Sequence, residues 1–300
     1  MKNILLTGAT GFLGSHMLKA ILDATNYNVV VLKRSFSNTW RIKNELLSGR
    51  VKTHDIDKVG IEDIDAKGIS VIIHCATEYG RRENSCLQIL ESNLVFPVKL
   101  LELAEKNKID VFINTDSYFN KENLSYSHLL NYSLSKKSFN LWLKHFSKKI
   151  KVINMVLEHI YGEFDNSDKF TESMIQQIAI KKVTKVDLSP GDQKRDFVYV
   201  KDVCDAYIAA IKHAKSNNFR YRQFDIGTGK KTSLKDFVLA IKKIAGSPTV
   251  LNFGAVAYRE DEIMCSVADI SELSNLLVVD KVLDYKQGLE KVINTYRRRC

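Results

Sequence analysis

The chain has 300 residues, of which 45% are hydrophobic and 27% charged, with 14 glycines and only 3 prolines. These values exclude a small disulfide-dependent domain, a collagen-like repeat and an intrinsically disordered chain. Lysine and arginine outnumber aspartate and glutamate by 45 to 35, which gives a formal net charge of +10. The basic residues are spread along the chain, so this charge suits a small anion such as a nucleotide as well as it suits nucleic acid.

The cysteines and the hydropathy pattern limit the class of protein further. The five cysteines are scattered, with no C-x-x-C pair and no histidines at zinc spacing, so we expect reduced thiols and no metal site. No apolar run approaches the roughly 18 residues that a membrane span requires. Glycines and threonines interrupt the apolar stretch from Asn3 to Gly14, unlike a signal sequence. These features predict a cytoplasmic protein that does not bind a membrane.

Short strand-like runs alternate with segments of helical periodicity through the first half of the chain. The predicted strands are Asn3 to Thr7, Asn28 to Lys33, Val51 to Asp55, Val71 to Cys75, Val111 to Thr115 and Lys151 to Leu157. The predicted helices are Phe12 to Ala24, Leu87 to Lys106, Tyr132 to Lys148, Lys169 to Ile180 and Ser233 to Ala245. This alternation predicts an α/β fold with a Rossmann-type, doubly wound parallel sheet covered by helices on both faces.

Past about residue 160 the alternation loosens, which indicates a second, smaller and mostly helical C-terminal region. We place a dinucleotide-binding domain at residues 1–160, with a return segment at about 195–228. Residues 161–194 and 229–300 are then expected to form the substrate-binding region.

The first predicted strand runs directly into a turn that contains Gly8, Gly11 and Gly14, and an amphipathic helix follows. Glycines there let the backbone approach a pyrophosphate, and the helix N-terminus supplies N–H groups and partial positive charge. The spacing is G-x-x-G-x-x-G instead of G-x-G-x-x-G, and a lone glycine triplet is weak evidence. Because this triplet joins a strand to a helix at the start of a βαβ unit, it predicts dinucleotide binding.

The end of the second predicted strand bears on the choice between NAD and NADP, because an acidic side chain there binds the ribose 2′-hydroxyl of NAD. The chain instead has Lys33, Arg34 and Ser35. The guanidinium of Arg34 suits a 2′-phosphate, Lys33 adds positive charge and Ser35 a hydroxyl. We therefore predict NADPH as the cofactor, with an ordinary basic surface as the alternative. Asp55 and Ile56, after the third strand, are expected to flank the adenine.

Tyr132 and Lys136 are four residues apart in a predicted helix, which places them on one face. An adjacent ammonium is expected to lower the pKa of Tyr132 from about 10 and to make the phenol a usable general acid. The fifth strand ends at Thr115, with Asp116 and Ser117 beside it, at the edge where parallel sheets hold ligands. Thr115 is expected to hydrogen-bond the substrate oxygen that Tyr132 protonates. The alternative is that Tyr132 and Lys136 form an ordinary surface pair and that residues 115–117 merely turn the chain.

With these motifs, essentially the whole chain resembles an extended short-chain dehydrogenase/reductase of the NAD-dependent epimerase/dehydratase family. The resemblance rests on the three glycines, residues 74–77, Asn93, Tyr132 with Lys136, and residues 161–162, 195–200 and 226–229. More narrowly, the chain is similar to the 4-ketoreductases of the CDP-abequose and CDP-paratose synthase type, which complete CDP-3,6-dideoxyhexoses. This narrower likeness rests on residues 73–80, 114–117, 157–162 and 260–264.

The resemblance implies a role for each matching residue. Those that hold the cofactor would be Gly8, Thr10, Gly11, Phe12 and Leu13 at the pyrophosphate, Ala76 and Tyr79 along its length, and Lys136 at the nicotinamide ribose. Those that contact the substrate would be Thr115, Asp116, Ser117, His159, Arg195 and Arg259. For the two arginines, surface ion pairs with Asp196 or Glu260 are the alternative.

One departure from the family pattern favours reduction over dehydration. Dehydratases of this family carry Thr-Asp-Glu at the end of the fifth strand, whereas this chain has Ser117 in place of the glutamate. The resemblance therefore implies NADPH-dependent reduction of the C4 ketone of a CDP-linked 4-keto-3,6-dideoxy sugar, a hexose or a heptose, for surface polysaccharide. The alternatives are an epimerase or 4,6-dehydratase that retains NAD(P), and a non-catalytic NADP(H)-sensing or RNA-associated protein.

The predicted helices at 87–106 and 132–148 carry apolar residues on more than one face. One face must cover the sheet, so the other is available to a second subunit. We therefore predict a homodimer formed through these two helices, a CDP-linked substrate as the other partner and no nucleic acid.

Overall fold

The computed structural model describes residues 2–80, 85–121, 129–276 and 282–299. Its strands are β1 Asn3–Thr7, β2 Asn28–Lys33, β3 Val51–Asp55, β4 Ile69–His74, β5 Val111–Ser117, β6 Lys151–Leu157, β7 His159–Tyr161, β8 Lys185–Leu188, β9 Lys194–Arg195, β10 Phe197–Tyr199, β11 Tyr221–Ile226, β12 Thr232–Ser233 and β13 Val250–Phe253. Its α-helices are α1 Phe12–Ala24, α2 Cys86–Leu90, α3 Phe96–Lys106, α4 Leu130–Phe146, α5 Phe170–Met174, α6 Val200–Ser216, α7 Leu234–Ala245, α8 Ser271–Leu276 and α9 Tyr285–Arg297.

Seven strands form one sheet in the order β11-β6-β5-β4-β1-β2-β3. The pairs β1–β2, β2–β3, β1–β4 and β4–β5 are parallel. The strand order reverses between β1 and β4, which is the switch point of a doubly wound sheet and the place beside which such sheets bind ligands. The predicted Rossmann-type parallel sheet is confirmed.

The first half of the chain follows the predicted elements closely, with two differences that concern the site. Strand β5 continues to Ser117, two residues beyond the predicted end. The predicted helix at 87–106 is divided by a π-helical turn at Glu91–Val95, just before Pro97 in the first turn of α3. Proline lacks a backbone N–H, so the regular α-helical ladder is interrupted there.

The sheet is held in place by apolar side chains on its central strands. All six residues of β4 are buried. On one face, Phe112 of β5 packs in a cluster with Leu100 of α3 and with Phe139 and Leu143 of α4, and each of these four side chains is at most 1% exposed. Burial of each side chain contributes roughly 1.5–3 kcal/mol. This packing holds α3 and α4 on β5.

The chain divides into two compact units, Met1–Val156 with Cys204–Phe224, and Leu157–Val203 with Asp225–Cys300. The first unit holds most of the large sheet. In the second unit, the described residues form small two-stranded pairings, β7 with β10, β8 with β13 and β9 with β12. At its centre the rings of Phe197 and Phe237 stack with their centroids 3.8 Å apart.

Asp196 organises the turn after β11 in the second unit. Its fully buried carboxylate accepts hydrogen bonds from the N–H groups of Thr228, Gly229 and Ala268 and from the Thr228 hydroxyl. A Cβ on Gly227 would lie 2.4 Å from that carboxylate. Because Gly227 has no side chain, the Asp196 carboxylate can lie close to this turn and accept hydrogen bonds from its backbone N–H groups.

The described helices include none that is long and apolar enough to cross a membrane. Among the described residues, no three His, Cys, Asp or Glu side chains are grouped as metal ligands. Cys75, Cys86, Cys204 and Cys265 are free thiols, and Cys300 lies outside the described residues.

His74 ends β4 inside the core and couples stability to pH. Its ring is fully buried, and its Nδ1 lies 2.8 Å from the hydroxyl of Thr7 on β1. Burial, followed by the nearby Lys136 ammonium, holds the pKa of His74 well below its ordinary value of 6.5. The unfolded chain therefore binds a proton near pH 6 that the folded chain does not bind. The stability that the buried neutral His74 ring contributes is thus fully present above pH 6.5 and is lost as the pH falls.

We expect His74→Asn to weaken the loss of stability in mild acid. The free energy of unfolding, measured with urea between pH 7.5 and 5, should fall by about 1.4 kcal/mol less per pH unit than in the parent protein once the pH is below about 6. His145→Asn is the control, because His145 is exposed on α4. An unchanged slope in His74→Asn would show that the folded protein accepts a proton at His74.

Candidate active site

The backbone at the start of the βαβ unit has no room for side chains at two glycines, Gly8 in the turn after β1 and Gly14 in α1. Gly8 has a φ of 73°, and a Cβ on it would lie 2.6 Å from the backbone nitrogen of Ala76. A Cβ on Gly14 would lie 2.1 Å from the Gly8 carbonyl oxygen. Gly11 is the N-cap of α1, so it presents no side chain to the first N–H groups of the helix. A pyrophosphate fits this backbone cradle.

The other three residues predicted to hold the pyrophosphate are Thr10, Phe12 and Leu13. Phe12 and Leu13 are buried. The carbonyl oxygen of Thr10 accepts a hydrogen bond of 3.4 Å from Arg41, whose guanidinium lies 4.6 Å from the ring centroid of Trp40. Sequence reasoning missed Arg41, because it follows Thr10 by 31 residues and belongs to no motif.

The sheet register brings the sequence motifs to one edge. Thr7 at the end of β1 pairs with His74 of β4, and His74 pairs with Asn114 of β5. The glycine turn, residues 75–80 and the last residues of β5, which include Thr115, therefore lie at the same edge of the sheet. The Ala76 N–H donates to the Thr7 hydroxyl at 3.2 Å, which fixes the loop after β4 beside the glycine turn.

The end of β2 carries the three residues predicted to select the cofactor. Lys33 forms an ion pair with Asp55 on β3, with which it is in register. The N–H and hydroxyl groups of Ser35 both donate to the carboxylate of Asp57 at 2.6 Å. Arg34 is exposed at this end of the strand.

The acids near β2 come from the neighbouring strand and not from β2 itself. The sequence contains no acid between Asp23 and Glu45, yet Asp55 and Asp57 reach the end of β2 because β3 lies beside it. The Ile56 N–H donates to the Lys33 carbonyl at 2.9 Å and is part of this strand pairing. The positive charge predicted from the sequence is therefore partly neutralised in the fold.

Tyr132 and Lys136 lie in the first two turns of α4 and are 4% and 3% exposed. The Lys136 ammonium donates a hydrogen bond of 2.8 Å to the carbonyl oxygen of Thr115. Burial lowers the pKa of Lys136. This one hydrogen bond ties the predicted acid–base helix to the end of β5.

The pKa of Tyr132 is raised well above its ordinary value of 10, first by burial and then by the neighbouring Tyr79. A hydrogen bond with the Ser117 side chain opposes this rise. The expectation that Lys136 lowers the pKa of Tyr132 is therefore wrong, because the ammonium bonds a backbone carbonyl and burial dominates. Tyr132 consequently keeps its proton at neutral pH.

Aromatic rings enclose the Tyr132 phenol. The ring of Tyr79 stacks on it with a centroid distance of 5.0 Å, and the ring of Phe119 meets it edge-on at 6.1 Å. Phe119 is the second residue after β5 and was not among the predicted site residues. These contacts explain the burial that raises the pKa of the phenol.

Asn93 holds the loop that carries Tyr79. It is fully buried in the π-helical turn. Its side-chain oxygen accepts from the Glu78 N–H at 2.7 Å, and its amide nitrogen donates to the Glu78 carbonyl at 2.8 Å and to the Ser135 hydroxyl at 3.0 Å. One side chain thus connects this loop to the helix of Tyr132.

Thr115 makes contacts that the sequence did not predict. Its Oγ1 lies 2.7 Å from the phenol oxygen of Tyr207 on α6 and donates at 3.4 Å toward the sulfur of Cys75. Burial raises the pKa of the Cys75 thiol to about 11, so the thiol is neutral at physiological pH. Tyr207 follows Thr115 by 92 residues, and only the fold brings them together.

Asp116 is held by three donors. One carboxylate oxygen accepts from the Ser117 N–H at 2.8 Å and from the Asn120 amide at 2.6 Å, and the other accepts from the Asn154 amide at 2.9 Å. Burial raises the pKa of this carboxyl, although Lys136 and these donors oppose the rise. Asp116 is thus anchored inside the protein.

The second unit contains the other residues predicted to contact substrate. Arg195 is 5% exposed and forms an ion pair with Glu262, instead of the surface pair with Asp196 that was the alternative. His159 begins β7, and burial, followed by Arg195, holds its pKa well below 6.5. Arg259 is exposed, and its carbonyl accepts from the Glu262 N–H at 3.2 Å.

Residues 4–227 match the model of the NAD dependent epimerase/dehydratase family. The chain belongs to this family. CDP-abequose synthase of Salmonella typhimurium is 34% identical to it over 295 residues, 97% of each chain, and that of Salmonella muenchen is 36% identical over 278 residues, 92% of each. A UDP-glucuronic acid 4-epimerase from Bacillus cereus, solved with UDP-glucuronic acid and NAD, is 25% identical and superimposes over 100% of both chains with a TM-score of 0.84.

Two glycines with matched backbone angles test the shape of the phosphate turn. Gly49 has a φ of 70° and no atom within 4 Å of the place that a Cβ would occupy, whereas at Gly8 a Cβ would overlap backbone atoms of the loop after β4. We expect Gly49→Ala to cost about 1–2 kcal/mol, the strain of a left-handed alanine. Gly8→Ala should lower the free energy of unfolding, measured with urea, by at least about 2 kcal/mol more than Gly49→Ala does. The backbone of the loop after β4 cannot move away from the added Cβ. Equal costs would contradict the tight packing of the two loops.

Proposed function

We propose that the protein reduces the C4 ketone of a CDP-linked 4-keto-3,6-dideoxy sugar with NADPH and releases the CDP-3,6-dideoxy sugar of the abequose or paratose type. The product would serve surface polysaccharide synthesis. The likeness to two CDP-abequose synthases over at least 92% of the chain supports the substrate class. The arrangement at the end of β5 supports the reaction.

The observation that carries the proposal is the pair Asp116 and Ser117 beside Tyr132. Dehydration requires a base for the proton on C5, and Ser117, where dehydratases of this family have glutamate, has only a hydroxyl, whose effect on the Tyr132 phenol is to oppose the rise of its pKa. Asp116 accepts hydrogen bonds on both of its oxygens. Neither residue is arranged to remove a proton, which favours simple reduction.

Tyr132 is assigned as the general acid. Its raised pKa keeps the phenol protonated at neutral pH, the form that a reduction consumes. When bound, NADPH supplies the hydride to the ketone carbon. Tyr132 would then donate its proton to the forming alkoxide, while Thr115 and the Lys136 ammonium stabilise the charge on that oxygen. Lys136 would also bind the nicotinamide ribose.

The cofactor assignment rests on Arg34 and on the glycine turn. Backbone packs on backbone at Gly8 and Gly14, and the N-terminus of α1 that follows Gly11 offers N–H groups to a pyrophosphate. Arg34 is exposed at the end of β2, while the neighbouring Lys33 is paired with Asp55. A 2′-phosphate would gain charge-assisted hydrogen bonds from Arg34. We therefore propose NADPH, although the structural relative described above was solved with NAD.

In the second unit, Arg195, Arg259 and His159 are assigned to the sugar nucleotide. Guanidinium groups suit diphosphate oxygens and base carbonyls. The ion pair with Glu262 orients Arg195 in a buried setting. A neutral His159 ring, which its lowered pKa favours, offers a donor and an acceptor to sugar hydroxyls.

We expect Tyr132→Phe to lower kcat/KM for a CDP-4-keto sugar roughly 10²- to 10⁴-fold, because the substitution removes only the proton donor. NADPH affinity, measured by fluorescence titration, should stay within about threefold of the parent value. Turnover within about twofold of normal would show that another group donates the proton.

A panel of nucleotide-linked 4-keto sugars tests the function as a whole. With NADPH in excess, the proposal requires stoichiometric oxidation of NADPH and a CDP-linked product whose C4 configuration NMR assigns. Conversion of a sugar nucleotide without net oxidation of NADPH would identify an epimerase or dehydratase instead. Tight RNA binding with a steep salt dependence and no turnover would identify a non-catalytic protein.

We expect Arg34→Ala to raise the dissociation constant of NADPH roughly 10- to 100-fold, because a charge-assisted hydrogen bond to the 2′-phosphate is lost. The dissociation constant of NADH should not change. Lys52→Ala, an exposed cation on the neighbouring strand β3, is the control. Equal effects on both cofactors would mean that Arg34 does not read the 2′-phosphate.

We also propose that a second copy of the chain covers helices α2 and α4. The two helices contact each other and expose large apolar side chains: Leu87 is 76% exposed, Leu134 52% and Leu141 70%. Leu134 and Leu141 are seven residues apart and share one face of α4. An apolar surface of this kind on adjacent helices suits a symmetric contact between two subunits.

We expect Leu141→Glu to give a monomer in sedimentation at micromolar concentration, while the parent protein sediments as a dimer. Leu239→Glu is the control, because Leu239 is an exposed leucine on α7, outside the proposed contact. A parent protein that sediments as a monomer would contradict the proposal.

A further inference from the structure

Tyr207, on α6, contacts Thr115, which the proposed function assigns to the reaction. It is fully buried on α6, and its hydroxyl oxygen lies 2.7 Å from Oγ1 of Thr115. None of the sequence motifs includes it. Since a buried hydroxyl that makes no hydrogen bond costs free energy, this contact fixes both groups.

The direction of the hydrogen bonds follows from counting protons. The Thr115 hydroxyl has one proton and donates it toward the sulfur of Cys75 at 3.4 Å. The contact between Thr115 and Tyr207 then requires the phenol to be the donor. The chain therefore runs from the Tyr207 O–H to Thr115 Oγ1, and from the Thr115 O–H to Cys75.

The acceptor at the end of this chain is weak. A neutral thiol sulfur accepts hydrogen bonds poorly, and Cys75 is neutral because burial raises its pKa. An oxygen with developing negative charge is a much stronger acceptor. The Thr115 proton is thus held away from Tyr207 and can turn from the sulfur to such an oxygen.

We propose that Tyr207 is a positioning residue: by donating to Thr115 Oγ1, its phenol leaves the Thr115 proton able to turn from the Cys75 sulfur to the substrate oxygen that becomes the alkoxide. Tyr207 does not itself touch the substrate in this assignment. The inference rests on the proposed function, because that function gives Thr115 its role.

A double-mutant cycle tests the coupling. Tyr207→Phe removes the donor and keeps the ring, and Thr115→Val removes the hydroxyl and keeps the shape. We expect Tyr207→Phe to lower kcat about 10-fold with KM and NADPH affinity unchanged, and to have no further effect when Thr115→Val is already present. An unchanged kcat, or the same loss in both backgrounds, would overturn the inference.

Tyr27→Phe is the matched control for loss of a buried phenol oxygen. Tyr27 is 6% exposed, and its hydroxyl has no hydrogen-bond partner within the described part of the chain. This variant should keep the parent kcat. A loss equal to that of Tyr207→Phe would assign the effect to packing and would overturn the positioning role.

A second measurement separates the inference from the proposed function. Three-bond NMR couplings report the χ1 angle of Thr115 in the protein without substrate. A single rotamer is expected in the parent and in Tyr27→Phe, and averaging in Tyr207→Phe. If the parent protein reduces no sugar of the panel, the proposed function fails, whereas an unchanged single rotamer in Tyr207→Phe overturns the positioning role.

Discussion

The site depends on one hydrogen bond, from the buried Lys136 ammonium to the carbonyl oxygen of Thr115. It ties the first turns of α4 to the end of β5, and the apolar cluster around Phe112 and Phe139 keeps that helix on the sheet. An ammonium that loses water needs such a partner. The same bond holds α4 in the position in which the Tyr132 phenol lies near Ser117, the arrangement on which the proposed reaction rests.

Burial, more than nearby charge, sets the protonation states at this edge. The pKa of Tyr132 is raised and that of Lys136 is lowered, and in both cases burial is the largest cause. The phenol therefore keeps its proton at neutral pH, which the proposed role of general acid requires. A reduction creates an acceptor for this proton, because the carbonyl oxygen becomes an alkoxide as hydride arrives.

Carboxylates from distant segments orient the basic residues. Asp55 pairs with Lys33 across two strands, and Glu262 pairs with the buried Arg195. The formal charge of +10 therefore overstates the positive charge available to ligands at these two places. Arg34 remains exposed, so the proposed preference for NADPH depends on it more than the sequence indicated.

The sequence by itself determined the doubly wound sheet, the glycine turn and the Tyr132–Lys136 helix, because periodicity and short spacings encode contacts between near neighbours in the chain. It did not reveal Tyr207 beside Thr115, Asp57 on Ser35 or the raised pKa of Tyr132. Those depend on packing between segments 22 to 92 residues apart and on the removal of water. Only the tertiary structure decides them, since burial and long-range contacts leave no local pattern.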